Sequence, residues 1–308
     1  MELRHLRYFV AVAEELNFTR AAGRLYTSQP SLSEQIRNLE LEIGFALLTR
    51  TRRKVELTAA GAVFLDEARQ ILTHVEAAVA RAAKAASQAR ECLTIGFVAA
   101  AEVRIFPSVL PVFRVSFPEV DIVLRSLTSE EQEGALLRGE IDLGFMRGPV
   151  HAANLRSEVV LVEPFRVFLP QGHSLAAVDC VLPTHLDNLP AINIDPGYGR
   201  SIHDALAHYL VRHGVTVGHV YPSSNPLMSI NLVAAGLGYT LLPAYAENFM
   251  PKNVISRRLP DDAPTSELLV VSVREVSAIT PAARHLLELV RGLLGCEHGQ
   301  SIALPDER

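Results

Sequence analysis

Cysteine is scarce in this chain of 308 residues: Cys92, Cys180 and Cys296 lie far apart and form no CxxC pair. That spacing argues against a disulfide framework or a zinc site and suits reduced thiols in a reducing compartment. The 11 histidines are equally dispersed, without HxxxH or HExxH spacing, so no metal is expected. No apolar run approaches the roughly 18 residues of a membrane span. The opening MELRHLRYF carries charges where an export signal needs a continuous apolar segment. Low-complexity tracts are lacking too, and a composition of 49% hydrophobic and 20% charged residues reads as globular throughout. A cytoplasmic, multi-domain protein without membrane contact is expected.

Catalytic signatures are also missing. GxSxG and P-loop motifs do not occur, and GLGYT, Gly236 to Thr240, precedes a strand instead of opening a helix, so it fails the context of a dinucleotide fingerprint. The chain is not expected to be an enzyme or to carry a cofactor.

The net charge of −5 hides an asymmetry. Met1 to Thr58 holds nine Lys/Arg against seven Asp/Glu, and the remainder holds twenty against twenty-seven. Four of the nine cations cluster in RTRRK, Arg50 to Lys54. Such a cluster is often a solvated surface, but beside a DNA-reading helix it suits a phosphate or minor-groove contact.

The sequence supplies such a helix. Helix one is predicted from Leu3 to Glu15, with Leu6, Phe9, Val10 and Ala13 on one buried face. Asn17 or Thr19 caps a second helix, whose Ala21 and Ala22 permit a close crossing. Thr27 or Ser28 caps a third, where Pro30 is tolerated in the first turn. On a helical wheel Leu32, Ile36 and Leu39 share one side, while Pro30, Ser33, Glu34, Arg37 and Asn38 share the other. One core face and one polar face are what a recognition helix needs; the alternative is an ordinary surface helix in a three-helix bundle. LLTRTRRKVELTAAG then reads as a two-stranded wing, Leu47 to Thr49 and Lys54 to Leu57.

MELRHLRYFVAVAEELNFTRAA, SQPSLSEQIRNLE and LTAAG resemble the N-terminal domain of the LysR-type transcriptional regulators. The likeness extends over nearly the whole chain and is strongest for the regulators of phenylpropionate and cinnamate catabolism, with the benzoate and muconate regulators further away. It implies DNA contacts at Ser28, Gln29, Pro30, Ser33, Gln35 and Arg37, with Arg50 and Arg53 in the wing. Glu34 departs from the family, where Arg or another DNA-compatible residue is frequent. A carboxylate there is repelled by phosphates unless it accepts from a cytosine amino group or pairs with Arg37 or Asn38.

Residues 59–90 are rich in Ala, Leu, Glu and Arg and lack proline, predicting a long linker helix. Leu65, Ala68, Leu72, Val75 and Val79 recur at threes and fours as a narrow apolar stripe. Phe64 and Leu65 are expected to pack on the wing, and the rest of the stripe on a second subunit.

Beyond Glu91 strands and helices alternate. CLTIGFV, VDIVLRSL and IDLGFM read as strands separated by RIFPSVLPVFRVSF and SEEQEGALLRG as helices, a βαβαβ unit. A second unit follows from about Arg156, with strands near VEPFRVFLP, AINI, VGHVY and YTLLP and helices after DPGYGR and SSNP. ELLVVSV and ITPAARHLLELVRGLL return to the first. The expected fold is multi-domain: an all-α winged helix-turn-helix domain (1–58), a long linker helix (59–90) and a two-lobed α/β domain (91–308) resembling periplasmic binding proteins. Lobe one covers about 91–155 and 268–308, lobe two about 156–267.

Two such lobes enclose a ligand cleft. In PGYGRSIHDAL, Gly197 and Gly199 loosen the backbone before a helix whose free N–H groups, with Arg200 and Ser201, attract a carboxylate. Ser129 occupies a similar helix start, but Thr128-x-x-Glu131 and Ser129-x-x-Gln132 are both capping boxes, so ligand contact and capping remain alternatives. The resemblance implies an effector pocket including Ala100, Ser129, Ser201 and Ile202, with Asn225 and Arg147. Benzoate-type and muconate-type relatives carry a hydroxyl where this chain has Ala100. Apolar Ala100 and Ile202 beside Ser129 and Ser201 suit an aromatic carboxylate. The expected function is ligand-controlled transcriptional regulation by a homotetramer on double-stranded promoter DNA, with RNA polymerase as a further partner. The alternative is a cytoplasmic solute-binding protein without DNA readout.

Overall fold

The computed structural model describes residues 1–50, 54–86, 91–274 and 279–298, and the chain divides into two units, Met1–Ser87 and Gln88–Arg308. The first unit holds α1 (Leu3–Glu15), α2 (Phe18–Arg24), α3 (Gln29–Ile43), an antiparallel pair β1 (Leu48–Arg50) and β2 (Val55–Leu57), and α4 (Ala59–Ala86). Asn17 caps α2, its Oδ1 accepting from the Thr19 and Arg20 amides at 2.9 and 3.0 Å, and Ser28 caps α3. Gly44, at φ 86°, takes the left-handed conformation that ends α3.

Phe9, Leu32, Ile36 and Leu39 are fully buried where α1 and α3 meet, each worth roughly 1.5–3 kcal/mol of burial. The buried face of α1 is Leu6, Phe9, Ala11, Val12 and Ala13; Val10, expected in the core, is half-buried. Phe64 shares this core with the wing residues Leu48, Val55 and Leu57, and its ring also meets Phe9 of α1 edge-on at 5.3 Å. Glu14 adds an ionic tie. The guanidinium of Arg69, with that of Arg24, holds its carboxyl below the usual range. Along α4, Leu65 and Ala68 are buried, whereas Ile71 and Val79 are 39% and 65% exposed.

The second unit opens with β3 (Cys92–Phe97), α5 (Ala99–Arg104), α6 (Phe106–Ser116), β4 (Asp121–Ser126), α7 (Ser129–Leu137) and β5 (Leu143–Met146). β3 pairs in parallel with both β4 and β5, the expected βαβαβ arrangement. β6 (Leu155–Pro170) is one continuous 16-residue strand. The expected lobe boundary at about Arg156 therefore falls inside this strand. Then come β7 (Ala191–Ile194), α8 (Pro196–Arg212), β8 (Val220–Ser223), α9 (Pro226–Ala234), β9 (Thr240–Pro243), β10 (Val254–Arg258), β11 (Thr265–Val273) and α10 (Pro281–His298). β10 has no counterpart in the sequence reading. The main sheet runs β10-β6-β11-β5-β3-β4, with β9 also paired to β6, and β7 and β8 form a separate parallel pair. β11 pairs with β5 and β6, and Ala282, Leu286 and Val290 of α10 share a core with Phe113 of α6, so the chain does return to lobe one.

Candidate nucleic-acid interface and effector cleft

On α3, Gln29, Pro30, Glu34, Arg37 and Asn38 are exposed opposite the fully buried Leu32, Ile36 and Leu39. Ser28 is exposed too, its Oγ accepting from the Ser31 amide at 3.4 Å. Ser33 and Gln35 are half-buried at the margins of this face. The Gln35 amide oxygen lies 3.0 Å from His5 Nε2, so Gln35 also ties α3 to α1. Arg50, at the end of β1, does not project away from the domain: its guanidinium is 2.7 Å from Glu40 Oε2, 3.4 Å from Ser33 Oγ and 5.0 Å above the Phe18 ring. Arg53 lies outside the described residues.

In the second unit a cleft of about 280 Å³ opens between the lobes, and the starts of α7, α8 and α9 all contribute to its wall. Ser129, Arg147, Arg200, Ser201 and Ile202 line it together. Thr128 forms a complete capping box with Glu131. Ser129 is thereby released from the capping role considered for it, its Oγ accepting from the Arg147 amide at 3.1 Å. Gln132, its expected box partner, is buried and donates to the Leu127 and Phe145 carbonyls. α8 begins at Pro196, so Gly197 and Gly199 belong to its first turn and not to a loop before it.

Arg147 is 8% exposed, donates to Ser266 Oγ and, at 3.3 Å, to the Glu267 carbonyl, and lies 5.8 Å from the Tyr245 ring centre. Glu163 is buried nearby. Burial pushes its carboxyl above the usual range, opposed in part by Arg104 at 3.1 Å and by Arg147. The cleft wall also carries Glu130, Glu133 and Asp204. Glu133 faces its own lobe, accepting from the His151 and Ala152 amides at 3.2 and 3.3 Å.

Two expected contacts fall elsewhere. Ala100 is 1% exposed in the lobe-one core, because α5 starts at Ala99 and turns the following residue inward; Val98 and Ala99 line the cleft instead. Asn225 is the N-cap of α9, with its Oδ1 occupied by the Met228 amide at 2.9 Å, and Pro226 is the residue at the wall. Tyr245 also lines the cleft without any local signal in the sequence, because the antiparallel return of β9 beside β6 brings its segment there. A second, apolar pocket of about 160 Å³ lies within lobe two and shares Ile194 and Ile202 with the cleft.

Residues 3–62 match the bacterial regulatory helix-turn-helix model of the lysR family, and residues 86–295 match the LysR substrate binding domain. The chain belongs to the LysR family. It is 43% identical over 291 residues to the Hca operon transcriptional activator HcaR of Escherichia coli (strain K12), covering 94% of this chain and 97% of that protein. Among solved structures, full-length BenM aligns with a TM-score of 0.60 at 28% identity, covering 98% of this chain and 99% of that one. Full-length CbnR complexed with its target DNA gives 0.57 at 26%, covering 96% and 100%.

This LysR regulator is accordingly a DNA-binding transcriptional regulator with an effector-binding domain, not an enzyme. LysR regulators bind small-molecule effectors, and no cofactor is indicated. Among the described residues no helix is long and apolar enough to cross a membrane.

Proposed function

We propose that this chain reads a promoter with the exposed face of α3 and adjusts its hold on the DNA when an aromatic carboxylate occupies the interlobe cleft. For the DNA, the supporting observation is the division of α3 into a fully buried apolar face and an opposed polar one. Ser28, Gln29, Pro30, Ser33, Glu34, Gln35 and Arg37 are assigned to the major groove, with Arg50 and Arg53 of the wing at the backbone or an adjacent groove. Glu34 is assigned to sequence choice, since a carboxylate adds nothing to phosphate affinity but accepts from a cytosine amino group.

The observation that carries the ligand assignment is the convergence of the N-termini of α7, α8 and α9 on one cleft that also holds Arg147 and Arg200. Partial positive charge and open N–H groups at helix starts favour an anion. Ile194 and Ile202 provide an apolar wall for a ring, and the relative HcaR is an operon activator, which agrees with control of a catabolic operon.

The exposed stripe of Ile71 and Val79 on α4 supports dimerisation through that helix. β4 supports further assembly of effector domains into a tetramer: it is a sheet edge on which Val123 and Leu124 are each 43% exposed. A cytoplasmic regulator of this kind acts with RNA polymerase.

Fluorescence anisotropy tests the reading. The purified protein is titrated onto duplexes selected from a random library, with and without benzoate, cinnamate, phenylpropionate and aliphatic carboxylates. Salt-sensitive, competitor-resistant binding that shifts 5- to 150-fold, about 1–3 kcal/mol of coupling, with an aromatic acid is expected. Specific binding indifferent to every acid would overturn the ligand assignment, and failure to select any sequence would overturn the DNA assignment.

A further inference from the structure

Glu40 joins α3 to the wing through three hydrogen bonds, yet it lies off the exposed reading face. It sits in the last turns of α3 with its side chain 15% exposed. One carboxylate oxygen accepts from two consecutive amides at the start of the wing, Leu47 at 2.9 Å and Leu48 at 3.0 Å. The other takes the Arg50 guanidinium at 2.7 Å. That guanidinium is further fixed by Ser33 Oγ at 3.4 Å and by the face of Phe18 at 5.0 Å. α2, α3 and β1 thus meet on one planar cation whose charge is met by Glu40.

We infer that Glu40 is a positioning and specificity residue: it fixes the Arg50 fork beside Ser33 and cancels its charge, so that Arg50 acts as a directed hydrogen-bond donor and not as a free phosphate counter-ion. This rests on the assignment of α3 as the reader. Arg has five N–H donors in a rigid plane, of which Glu40 and Ser33 engage one each, so the same fork retains donors for DNA while its direction is set. A neutralised guanidinium releases no counter-ion of its own on binding and gains nothing from random sequence. An ordinary wing arginine would do the opposite, raising affinity for all DNA alike.

Glu40→Gln separates the two jobs of the carboxylate. The amide oxygen still accepts from Leu47 and Leu48, but the amide nitrogen now faces a guanidinium that can only donate. The probes are the duplex selected by the wild-type protein and a scrambled duplex, measured by anisotropy over a range of salt concentrations, with the melting temperature of each full-length variant recorded. Three results are expected for Glu40→Gln: tighter binding to scrambled DNA, a salt slope steeper by up to about 0.9, the contribution of one cation, and an operator-to-scrambled ratio lowered about tenfold.

In Glu40→Gln/Arg50→Ala the slope returns to the wild-type value. Glu40→Asp keeps the charge on a shorter arm and tests positioning alone, so it lowers the ratio with the slope unchanged, and it decides the matter if Glu40→Gln melts early. An unchanged slope and ratio in Glu40→Gln, or the same changes in the Arg50→Ala background, would overturn the inference while leaving α3 as the reader. Failure of the wild-type protein to select any duplex removes the DNA assignment itself, and this inference with it.

Discussion

Gly61, in the first turn of α4, should not tolerate even a methyl group, and the size of the effect follows from its surroundings. A Cβ built there lies 2.0 Å from the Leu47 carbonyl oxygen, 2.9 Å from the carbonyl carbon and 3.1 Å from Leu57 Cδ2. Ordinary contact between such atoms needs about 3.4 Å or more, so the wing and the helix must part by more than about 1 Å. The obstructing oxygen is pinned, because it accepts from the Thr58 amide at 3.0 Å and the Thr58 hydroxyl at 3.2 Å. Overpacking of this kind costs about 1–3 kcal/mol or more. Alanine recovers up to about 1 kcal/mol as a helix former, and with the 2.0 Å contact placing the clash at the upper end of that cost, Gly61→Ala is destabilising by about 2 kcal/mol.

Gly23 in α2 is the internal control, since nothing lies within 4 Å of its Cβ position. Gly23→Ala should stabilise the same unit by about 0.5–1 kcal/mol. Hydrogen exchange of the α1 amides in the full-length protein reads both: protection falls about thirtyfold in Gly61→Ala and rises in Gly23→Ala. Protection unchanged or increased in Gly61→Ala would refute the reasoning.

Asn225→Ala should remove the α9 cap and cost about 1 kcal/mol in urea unfolding while leaving carboxylate affinity at the cleft unchanged, since the amide oxygen is occupied by Met228 and not by the cleft; a large loss of affinity at constant stability would restore Asn225 as a contact. For Glu163, burial raises the folded pKa above the ordinary carboxylate value of 4.5. The folded state then holds more protons than the unfolded state, so the stability of wild type relative to Glu163→Gln falls as pH rises from 4.5 through the raised pKa. Urea midpoints of both proteins across that range check the sign. Glu14 behaves oppositely: with its folded pKa lowered by Arg69 and Arg24, the stability it confers is present above 4.5 and lost as pH falls through the lowered value, which Glu14→Gln should abolish. Glu34→Ala should change the relative preference among half-site variants; an unaltered preference order across a duplex library would remove Glu34 from sequence choice.

The DNA-binding unit was legible because its information is local. Helix periodicity placed Leu32, Ile36 and Leu39 in the core, and capping chemistry started α2 and α3 at residues that had been named. Within that unit the misplaced core residue of α1 is a matter of rotation: a helix turns 100° per residue, and the burial of Val12 in place of Val10 depends on packing partners that only the folded chain supplies. The cleft was legible only in part for the same reason on a larger scale. Ser129, Ser201 and Ile202 sit near helix starts visible in the sequence, but whether residue 99 or 100 lines the cleft depends on where α5 begins. Asn225 shows the ambiguity of chemistry itself, because an Asn before Pro serves equally as a cap or a contact until its partner is seen.

The least legible feature, the continuous strand β6, also explains how one cleft is joined to two lobes. From Leu155 to Pro164 it pairs with β11, and from Phe165 onward with β9 and β10, so the change of partner between Pro164 and Phe165 is where one lobe gives way to the other. Arg147, in the cleft wall, bonds to Ser266 and Glu267 of β11, and those two residues stand opposite Glu163 and Val162, immediately before that change. A ligand that draws on Arg147 would therefore act on a side chain bonded to the crossover itself. Glu163 lies at the same point of β6. Its raised pKa follows from the same packing, since burial where β6 exchanges β11 for β9 and β10 disfavours the charged carboxylate.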